Sequence, residues 1–221
     1  MRRVSVIIVA AGKGKRFGSP KQFALLRGKP VLDWSMEKFI RHPEVDEIIL
    51  VLPDERKKAD YLGRSKKITA VVKGGPRRQD SVRKGVEALN TEMADIVLIH
   101  DGVRPLVSRT LISRVVDEMR RKKAVIPAVP IDETIKKVVA GKVIRTIDRR
   151  RLYRAQTPQG FLYPLLERAL RKASRGGYIG VDEAMLVEKL GEEVSVVEGE
   201  KKNVKVTTRE DLKIAEAWLD D

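Results

Sequence analysis

The sequence has no cysteine, few aromatic residues and no long apolar run. Among its 221 residues, Phe, Trp and Tyr together make up 5%. The lack of thiols excludes disulfide bonds and cysteine-ligated metal centres. The few aromatics do not interleave with cations, as they do on surfaces that stack single-stranded nucleic acid. No stretch approaches the roughly 20 apolar residues that cross a bilayer, so we expect a globular protein that does not span a membrane.

An apolar run follows Met1, Arg2 and Arg3, which is the order of charges found at the start of a secretory signal peptide. This run is short and rich in β-branched residues, and more cations follow it where a cleavage region would lie. We therefore expect a cytoplasmic protein.

The charge balance is strongly basic, with 46 Lys and Arg against 31 Asp and Glu and a net charge of +15. Basic proteins bind nucleic acid, anionic membrane surfaces or small polyanions such as nucleoside triphosphates. The sequence contains neither a helix-turn-helix pattern nor zinc-finger spacing, which argues against a nucleic-acid partner. Solvated helix faces account for part of the excess, as at residues 120–123. The informative cations are those beside glycine-rich loops that follow strands.

Apolar, β-branched segments alternate with helical ones along most of the chain. Strands are predicted at residues 6–10, 45–52, 68–72 and 96–99, and on both sides of the sequence EKKNVKV. Helices are predicted at 31–41, about 81–89, from about 108, after 158, near 182–190 and at 208–219. This order predicts an α/β fold with a mostly parallel sheet and helices on both faces. Because no repeat or linker interrupts it, we expect one domain over residues 1–221.

The segment at about 130–158 breaks this alternation. Its sequence ETIKKVVAGKVIRTID predicts two short strands around Ala140 and Gly141, as in a β-hairpin. Neither strand carries enough apolar residues to fill a core. We therefore expect a projecting β-hairpin arm that packs on another subunit.

The sequence VIIVAAGKGKRFGSPKQ, residues 6–22, joins the first strand to a loop with three glycines and no acid. A dinucleotide fingerprint needs a glycine three residues after Gly14, where Phe17 stands, and a P-loop motif is absent. The loop suits a triphosphate, which its backbone N–H groups can wrap while Arg16 and Lys21 reach the oxygens. The alternative is a flexible surface turn.

Two further loops follow strands. In GGPRRQDSV, Gly74 and Gly75 permit close approach of a ligand, and Ser81 either contacts a base or, as base rates favour, caps the next helix. In HDGVRP, Asp101 either orients a hydrated Mg²⁺ or forms an ion pair with Arg104 that braces the turn. The sequence assigns no other metal ligand, because its two histidines lack ligand-like spacing.

In that order, the motifs AAGKGKRFGSPKQ, GGPRRQDSV, HDGVRP, DRRRLYRAQTPQ, DEA and NVKVTTREDL resemble the 2-C-methyl-D-erythritol 4-phosphate cytidylyltransferases. The resemblance runs from Val4 to Leu219. It implies a Rossmann-like α/β domain, a homodimer joined by the arm, and a step of non-mevalonate isoprenoid biosynthesis. The implied reaction transfers CMP from CTP to 2-C-methyl-D-erythritol 4-phosphate and releases pyrophosphate, with Mg²⁺ or another divalent cation.

The resemblance also implies roles for individual residues. Arg16 and Lys21 match transition-state stabilisers, and Lys205 matches a lysine between the α-phosphate and the attacking phosphate. Arg149 matches the arginine that grips the substrate phosphate. The other nucleotide-contacting positions are Ala10, Ala11, Gly12, Gly14, Gly75, Ser81, Asp101 and Gly102. The other positions near the substrate are Arg104, Thr134 and Thr157.

Two residues depart from the family pattern. Pro76 stands where the family often carries an acid, which removes an N–H and a contact to cytidine. Val181 replaces a threonine found in some members, which removes one hydroxyl near the substrate. Two alternatives stay open: a cytidylyltransferase for another polyol phosphate, such as ribitol 5-phosphate, and, more distantly, a nucleic-acid-binding basic protein.

Overall fold

A computed structural model describes residues 2–54, 57–90 and 94–219. Its strands are β1 (Val4–Val9), β2 (Leu25–Leu26), β3 (Lys29–Pro30), β4 (Glu47–Leu52), β5 (Ile68–Lys73), β6 (Ile96–Asp101), β7 (Ala124–Pro130), β8 (Ile135–Val139), β9 (Lys142–Ile147), β10 (Tyr153–Ala155), β11 (Gln159–Leu162) and β12 (Ser195–Glu198). Its helices are α1 (Val31–Ile40), α2 (Lys58–Leu62), α3 (Arg78–Glu87), α4 (Arg109–Met119), α5 (Tyr163–Arg175), α6 (Glu183–Glu188) and α7 (Arg209–Ala217).

An eight-stranded sheet forms the centre, in the order β10-β7-β11-β6-β1-β4-β5, with β12 paired to β7. Strands β1, β4, β5 and β6 pair in parallel, whereas β10 and β11 run antiparallel to their neighbours. Because Val9 pairs with Asp101, the loops that follow β1 and β6 leave the sheet side by side. The mostly parallel sheet is confirmed, and its carboxyl-end loops come together at one edge.

Helices cover both faces of the sheet, as predicted. Along β1, Val6 and Ile8 pack into the core that includes α1 and α4, whereas Ile7 packs on the side of α3 and α5. Strands β4 and β6 are buried at every position, which explains why their sequences are mostly apolar. Within the described residues, none of the helices is long and apolar enough to span a bilayer.

The predicted hairpin arm is present as β8 and β9, which pair with each other in a separate two-stranded sheet. Its turn residues Ala140 and Gly141 both have positive φ angles, 49° and 75°, as a two-residue hairpin turn requires. Nearly all of its side chains are exposed, including Val138 and Val143 at 53% and 61%. The arm therefore buries little apolar surface within its own chain.

One predicted helix boundary and one predicted strand are wrong. Helix α3 begins at Arg78 rather than near Ser81, because Asp80 accepts the Arg77 N–H and closes the first turn. The strand predicted after EKKNVKV is absent, and only β12 before it forms. Residues 203–207 are held instead by single contacts to neighbouring loops, such as the Val206 N–H donating to the Val103 carbonyl at 2.9 Å.

Candidate active site

A cavity of about 420 Å³ lies at the carboxyl ends of β1, β5 and β6. In open parallel sheets this edge is where ligands bind. Three predicted loop clusters line it together with Lys205. The lining residues are Val9, Ala10, Ala11, Gly12, Lys13, Gly14, Lys15, Arg16, Lys21, Gln22, Gly75, Pro76, Arg77, Arg78, Ser81, Asp101, Val103, Lys205 and Thr207.

The loop after β1 has a defined conformation rather than that of a free surface turn. Gly14 has φ +66°, and a Cβ there would lie 1.8 Å from the Ser19 carbonyl oxygen, so only glycine fits. Gln22 donates from Nε2 to the Gly12 carbonyl at 3.1 Å. Phe17 is buried in a small apolar cluster that also includes Ala215 of α7. These contacts anchor the loop, whose cationic residues line the cavity.

The electrostatics of the cavity are dominated by cations. Seven of the lining residues are Lys or Arg, and Asp101 is the one carboxylate among them. The pKa of Lys21 is lowered by burial first and then by the charges of Lys205 and Arg16. The three predicted cations therefore act on one another in one small volume. A polyanion entering this cavity would relieve their mutual repulsion.

Asp101, at the end of β6, is the anionic centre of the cluster. Its side chain is only 8% exposed, and Lys205 Nζ lies 2.9 Å from Oδ2. Arg104 Nε is 3.5 Å from the same oxygen, whereas Arg78 Nε donates to Oδ1 at 3.2 Å. Burial favours the neutral acid, but these three cations hold the pKa of Asp101 well below its usual range. The predicted Asp101–Arg104 ion pair is present, although it is one of three.

Lys205 lies in the irregular segment before α7, which side chains and backbone groups from distant parts of the chain hold in place. Arg104 donates from NH1 to the Asn203 carbonyl at 2.7 Å. Asn203 donates from Nδ2 to the Thr157 carbonyl at 2.9 Å, and Gln156 donates from Nε2 to the Glu200 carbonyl at 2.8 Å. The lysine is thereby presented to the cavity with 37% of its side chain exposed.

Thr157 lies behind Asp101 and is buried, with 4% of its surface exposed. Its hydroxyl accepts the Asp101 N–H at 3.1 Å and lies 3.1 Å from His100 Nδ1. His100 is wholly buried, and this burial lowers its pKa to about 3. Its neutral ring packs against Phe39 with the centroids 4.7 Å apart. Both side chains thus fix the end of β6, and these contacts give His100 a structural role.

The loop after β5 approaches the cavity closely. A Cβ on Gly75 would lie 2.4 Å from the Asp80 Cβ, so this position accepts only glycine without rearrangement. Ser81 lies inside α3 rather than at its N-cap, which is Arg77, so the predicted capping role is wrong. The Ser81 hydroxyl instead accepts the Gly75 N–H at 3.0 Å, and Pro76 lines the cavity beside it.

Other predicted site residues lie away from the cavity lining. Arg149 follows the arm and donates to the Asp132 carbonyl, and Thr134 is an exposed residue before β8. Arg104 and Gly102 are buried beneath the cavity. Val181 is 83% exposed. The cavity within one chain is therefore lined by the predicted nucleotide-contacting residues other than Gly102, but not by Arg149 or Thr134.

Two candidate functional residues, Arg78 and Glu183, have no individual signal in the sequence. Arg78 lines the cavity and pairs with Asp101, and Glu183 contacts Arg78 with both carboxylate oxygens. Both belong to recognised motifs, GGPRRQDSV and DEA, but they are 105 positions apart. No sequence spacing indicates that they form an ion pair.

Comparison with known proteins extends over nearly the whole chain. A family model described as 2-C-methyl-D-erythritol 4-phosphate cytidylyltransferase matches residues 4–221. The enzyme of that name from Syntrophus aciditrophicus is 43% identical over 225 residues, covering 98% of this chain and 96% of the relative. Its counterpart from Symbiobacterium thermophilum is 41% identical over 221 residues, covering 99% and 93%.

Solved structures agree with these sequence matches. The 4-diphosphocytidyl-2C-methyl-D-erythritol synthase from Anaerococcus prevotii gives a TM-score of 0.87 at 34% identity, covering 100% of this chain and 99% of the other. The cytidylyltransferase from Thermus thermophilus gives 0.83 at 32% identity, covering 97% and 98%. These matches confirm the resemblance seen in the six motifs and the Rossmann-like α/β fold. This chain therefore belongs to the 2-C-methyl-D-erythritol 4-phosphate cytidylyltransferase family.

Proposed function

We propose that this protein transfers CMP from CTP to 2-C-methyl-D-erythritol 4-phosphate. The products are 4-diphosphocytidyl-2-C-methyl-D-erythritol and pyrophosphate, a step of non-mevalonate isoprenoid biosynthesis. The observation that carries the proposal is the cavity itself, where Arg16, Lys21 and Lys205 come together beside two glycine loops. Family membership supplies the identity of the substrates.

The chemistry is a displacement at phosphorus. An oxygen of the polyol phosphate forms a bond to the α-phosphorus of CTP, and the bond from that phosphorus to the β-phosphate oxygen breaks. The nucleophile is already an anion, so the step needs no general base. Catalysis must come from positioning two anions that repel each other and from stabilising the charge that develops.

The cavity contains groups suited to each part of this task. The loop after β1 offers backbone N–H groups for the triphosphate, with Arg16 and Lys21 beside it. Lys205 lines the same cavity and contacts Asp101. We assign Lys205 to the α-phosphate and the attacking phosphate, and Gly75 with Ser81 to the cytidine. Because Ser81 already binds the Gly75 N–H, it supports the base-binding loop through that bond.

A divalent cation, Mg²⁺ in the first instance, is part of the proposal. Within the described residues there is no group of three or more acidic or histidine side chains that would hold a metal without help from a substrate. Mg²⁺ is commonly held by one or two carboxylates, water and substrate phosphates. Asp101, beside the phosphate-binding loop, fits that mode. The ion would neutralise triphosphate charge, and Lys205 would then share Asp101 with it.

The complete site also requires a homodimer in this proposal. The exposed arm, with Val138, Val143 and their neighbours uncovered in one chain, would pack on a second subunit. Arg149 and Thr134 lie at its base, outside the cavity lining of their own chain. We assign both to the substrate phosphate bound by the partner subunit, whereas buried Thr157 acts from behind Asp101. We also place the reaction in the cytoplasm, where CTP is available.

A coupled pyrophosphate assay tests the function directly. CTP with 2-C-methyl-D-erythritol 4-phosphate should release pyrophosphate, whereas ribitol 5-phosphate should give little. Lys205→Ala should abolish most of the pyrophosphate release. Lys213 is an exposed lysine on α7, so the control variant Lys213→Ala should keep this release. Faster release with ribitol 5-phosphate would favour the sibling activity. Salt-sensitive binding of duplex DNA without any binding of CTP would instead favour a nucleic-acid-binding protein.

A further inference from the structure

A chain of charged side chains in sequential contact runs from the buried Glu183 of α6 to the cavity. Glu183, the first residue of α6, is 1% exposed, and Arg78 NH1 donates to its two carboxylate oxygens at 2.8 and 2.7 Å. Arg78 is the first residue of α3, and its Nε donates to Asp101 Oδ1 at 3.2 Å. The opposite oxygen of Asp101 holds Lys205. Four charged groups from four parts of the chain are therefore in sequential contact.

The two oxygens of the Asp101 carboxylate contact different cations. Oδ1 is held by Arg78, whereas Oδ2 lies 2.9 Å from Lys205 Nζ and 3.5 Å from Arg104 Nε. A carboxylate held at one oxygen cannot rotate freely, so the direction of the other is set. Arg78 thereby influences where Lys205 points although it does not contact that lysine.

Glu183 stabilises Arg78 in this position. Within the part of the chain that the structure describes, Arg78 is the only cation in contact with Glu183. Burial raises the pKa of Glu183, whereas Arg78 opposes that shift. Burial likewise disfavours the charge of Arg78, but Glu183 and Asp101 together raise the pKa of Arg78. Each group is stable there because of its partner.

We infer that Arg78, anchored by Glu183, is a positioning residue that orients Asp101 so that Lys205 is held over the reacting phosphates. The inference rests on the proposed function, since it assigns the network to that same site. The alternative is that the ion pair only joins α3 to α6 and serves stability. The two hypotheses predict different kcat values when both members of the pair are replaced together.

The first test replaces both members of the pair, Arg78→Met with Glu183→Leu. Replacing a buried ion pair by apolar residues of similar size often preserves stability, whereas removing one partner leaves a buried charge unpaired. We expect a thermal midpoint close to that of the wild type and kcat roughly 10- to 100-fold lower, the scale for a misplaced group. The matched control replaces the exposed pair Arg83 and Glu87 of the same helix in the same way. A paired variant with wild-type kcat would show that the network serves stability alone.

A double-mutant cycle identifies the route of the effect. If Arg78 acts through Lys205, the paired replacement should cause little further loss of kcat in a Lys205→Ala background. Glu183→Gln, which can still accept a hydrogen bond from Arg78, should retain more activity than the paired variant. Losses that multiply in full across the cycle would overturn the inference.

A structural readout keeps the inference testable whether or not the proposed reaction is correct. The wild type is assayed first, and a wild type without pyrophosphate release would contradict the proposed function alone. A crystal structure of the paired variant then decides the network. The expected result is that the Lys205–Asp101 contact is lost or re-oriented. A contact unchanged at 2.9 Å would overturn the positioning role even with an inactive wild type.

Discussion

Acid should weaken this fold through His100, the buried histidine that precedes Asp101. Its ring is wholly buried, which lowers its pKa from 6.5 to about 3. A charged imidazole is therefore disfavoured in the folded state and permitted in the unfolded state. Between these two pKa values the unfolded chain binds more protons, so the free energy of unfolding falls as the pH falls from 6.5 toward 3.

The size of the effect follows from the same pKa values. At about pH 5 the unfolded histidine is charged, whereas the folded one is still neutral. This pH lies about 1.5 units below the pKa of the unfolded histidine. Each unit corresponds to about 1.4 kcal/mol, so His100 should remove about 2 kcal/mol of stability at that pH. The contribution is almost absent at about pH 7.5, where histidine is neutral in both states.

Urea unfolding of the wild type and His100→Asn measures this contribution. Asn can keep a contact with the Thr157 hydroxyl but does not titrate in this range. We expect the loss of unfolding free energy between about pH 7.5 and pH 5 to be about 2 kcal/mol smaller in the variant. His42, whose pKa burial also lowers, is present in both proteins and cancels. An equal loss in both proteins would refute the reasoning.

Three further predictions concern the site. Lys21→Ala should lower kcat roughly 100-fold, the scale for losing one preorganised stabiliser of developing charge, and Lys15→Ala should have a much smaller effect; similar small losses would contradict the phosphate clamp. Isothermal titration should show CTP binding alone and 2-C-methyl-D-erythritol 4-phosphate binding well only afterwards, because the nucleotide completes the second site; tight binding of the polyol phosphate to the free protein would contradict this order. Refolding inactive Lys205→Ala and Arg149→Ala proteins together should recover roughly a quarter of wild-type activity if subunits share sites, since half the dimers are mixed and each has one intact site. Mixed dimers without activity would place all groups in one chain.

The sheet and its ligand edge could be predicted because local signals specify them. The β-branched runs of β1, β4 and β6 indicate buried parallel strands, and loops that contain glycines and cations follow β1, β5 and β6. Because parallel strands end at one edge, the predicted clusters had to meet there. The start of helix α4 could also be predicted at about residue 108; in the structure Ser108 is its N-cap and accepts the Leu111 N–H at 2.9 Å.

The residues that orient the site could not be predicted from local patterns. Lys205 lies in a segment without regular structure. Hydrogen bonds from Arg104 to the Asn203 carbonyl and from Asn203 to the Thr157 carbonyl hold this segment in place, and no sequence periodicity relates these residues. Thr157 precedes Pro158, a pair that is typical of a helix start, yet its hydroxyl accepts the N–H of Asp101, which lies 56 positions earlier in the sequence. Such contacts depend on tertiary packing, and only the resemblance to a family pointed to these positions.

The cavity contains two kinds of cation, those held by buried acids and those on an exposed loop. Asp101 lines the cavity and Glu183 contacts Arg78 outside the lining; both acids are buried, both contact Arg78, and Asp101 also contacts Lys205. A group fixed in advance stabilises developing charge without reorganising during the reaction. Arg16, by contrast, lies on an exposed loop whose glycines leave its backbone open to a triphosphate. The proposed reaction needs both kinds of cation, a fixed one where the bond forms and accessible ones where the nucleotide enters and pyrophosphate leaves.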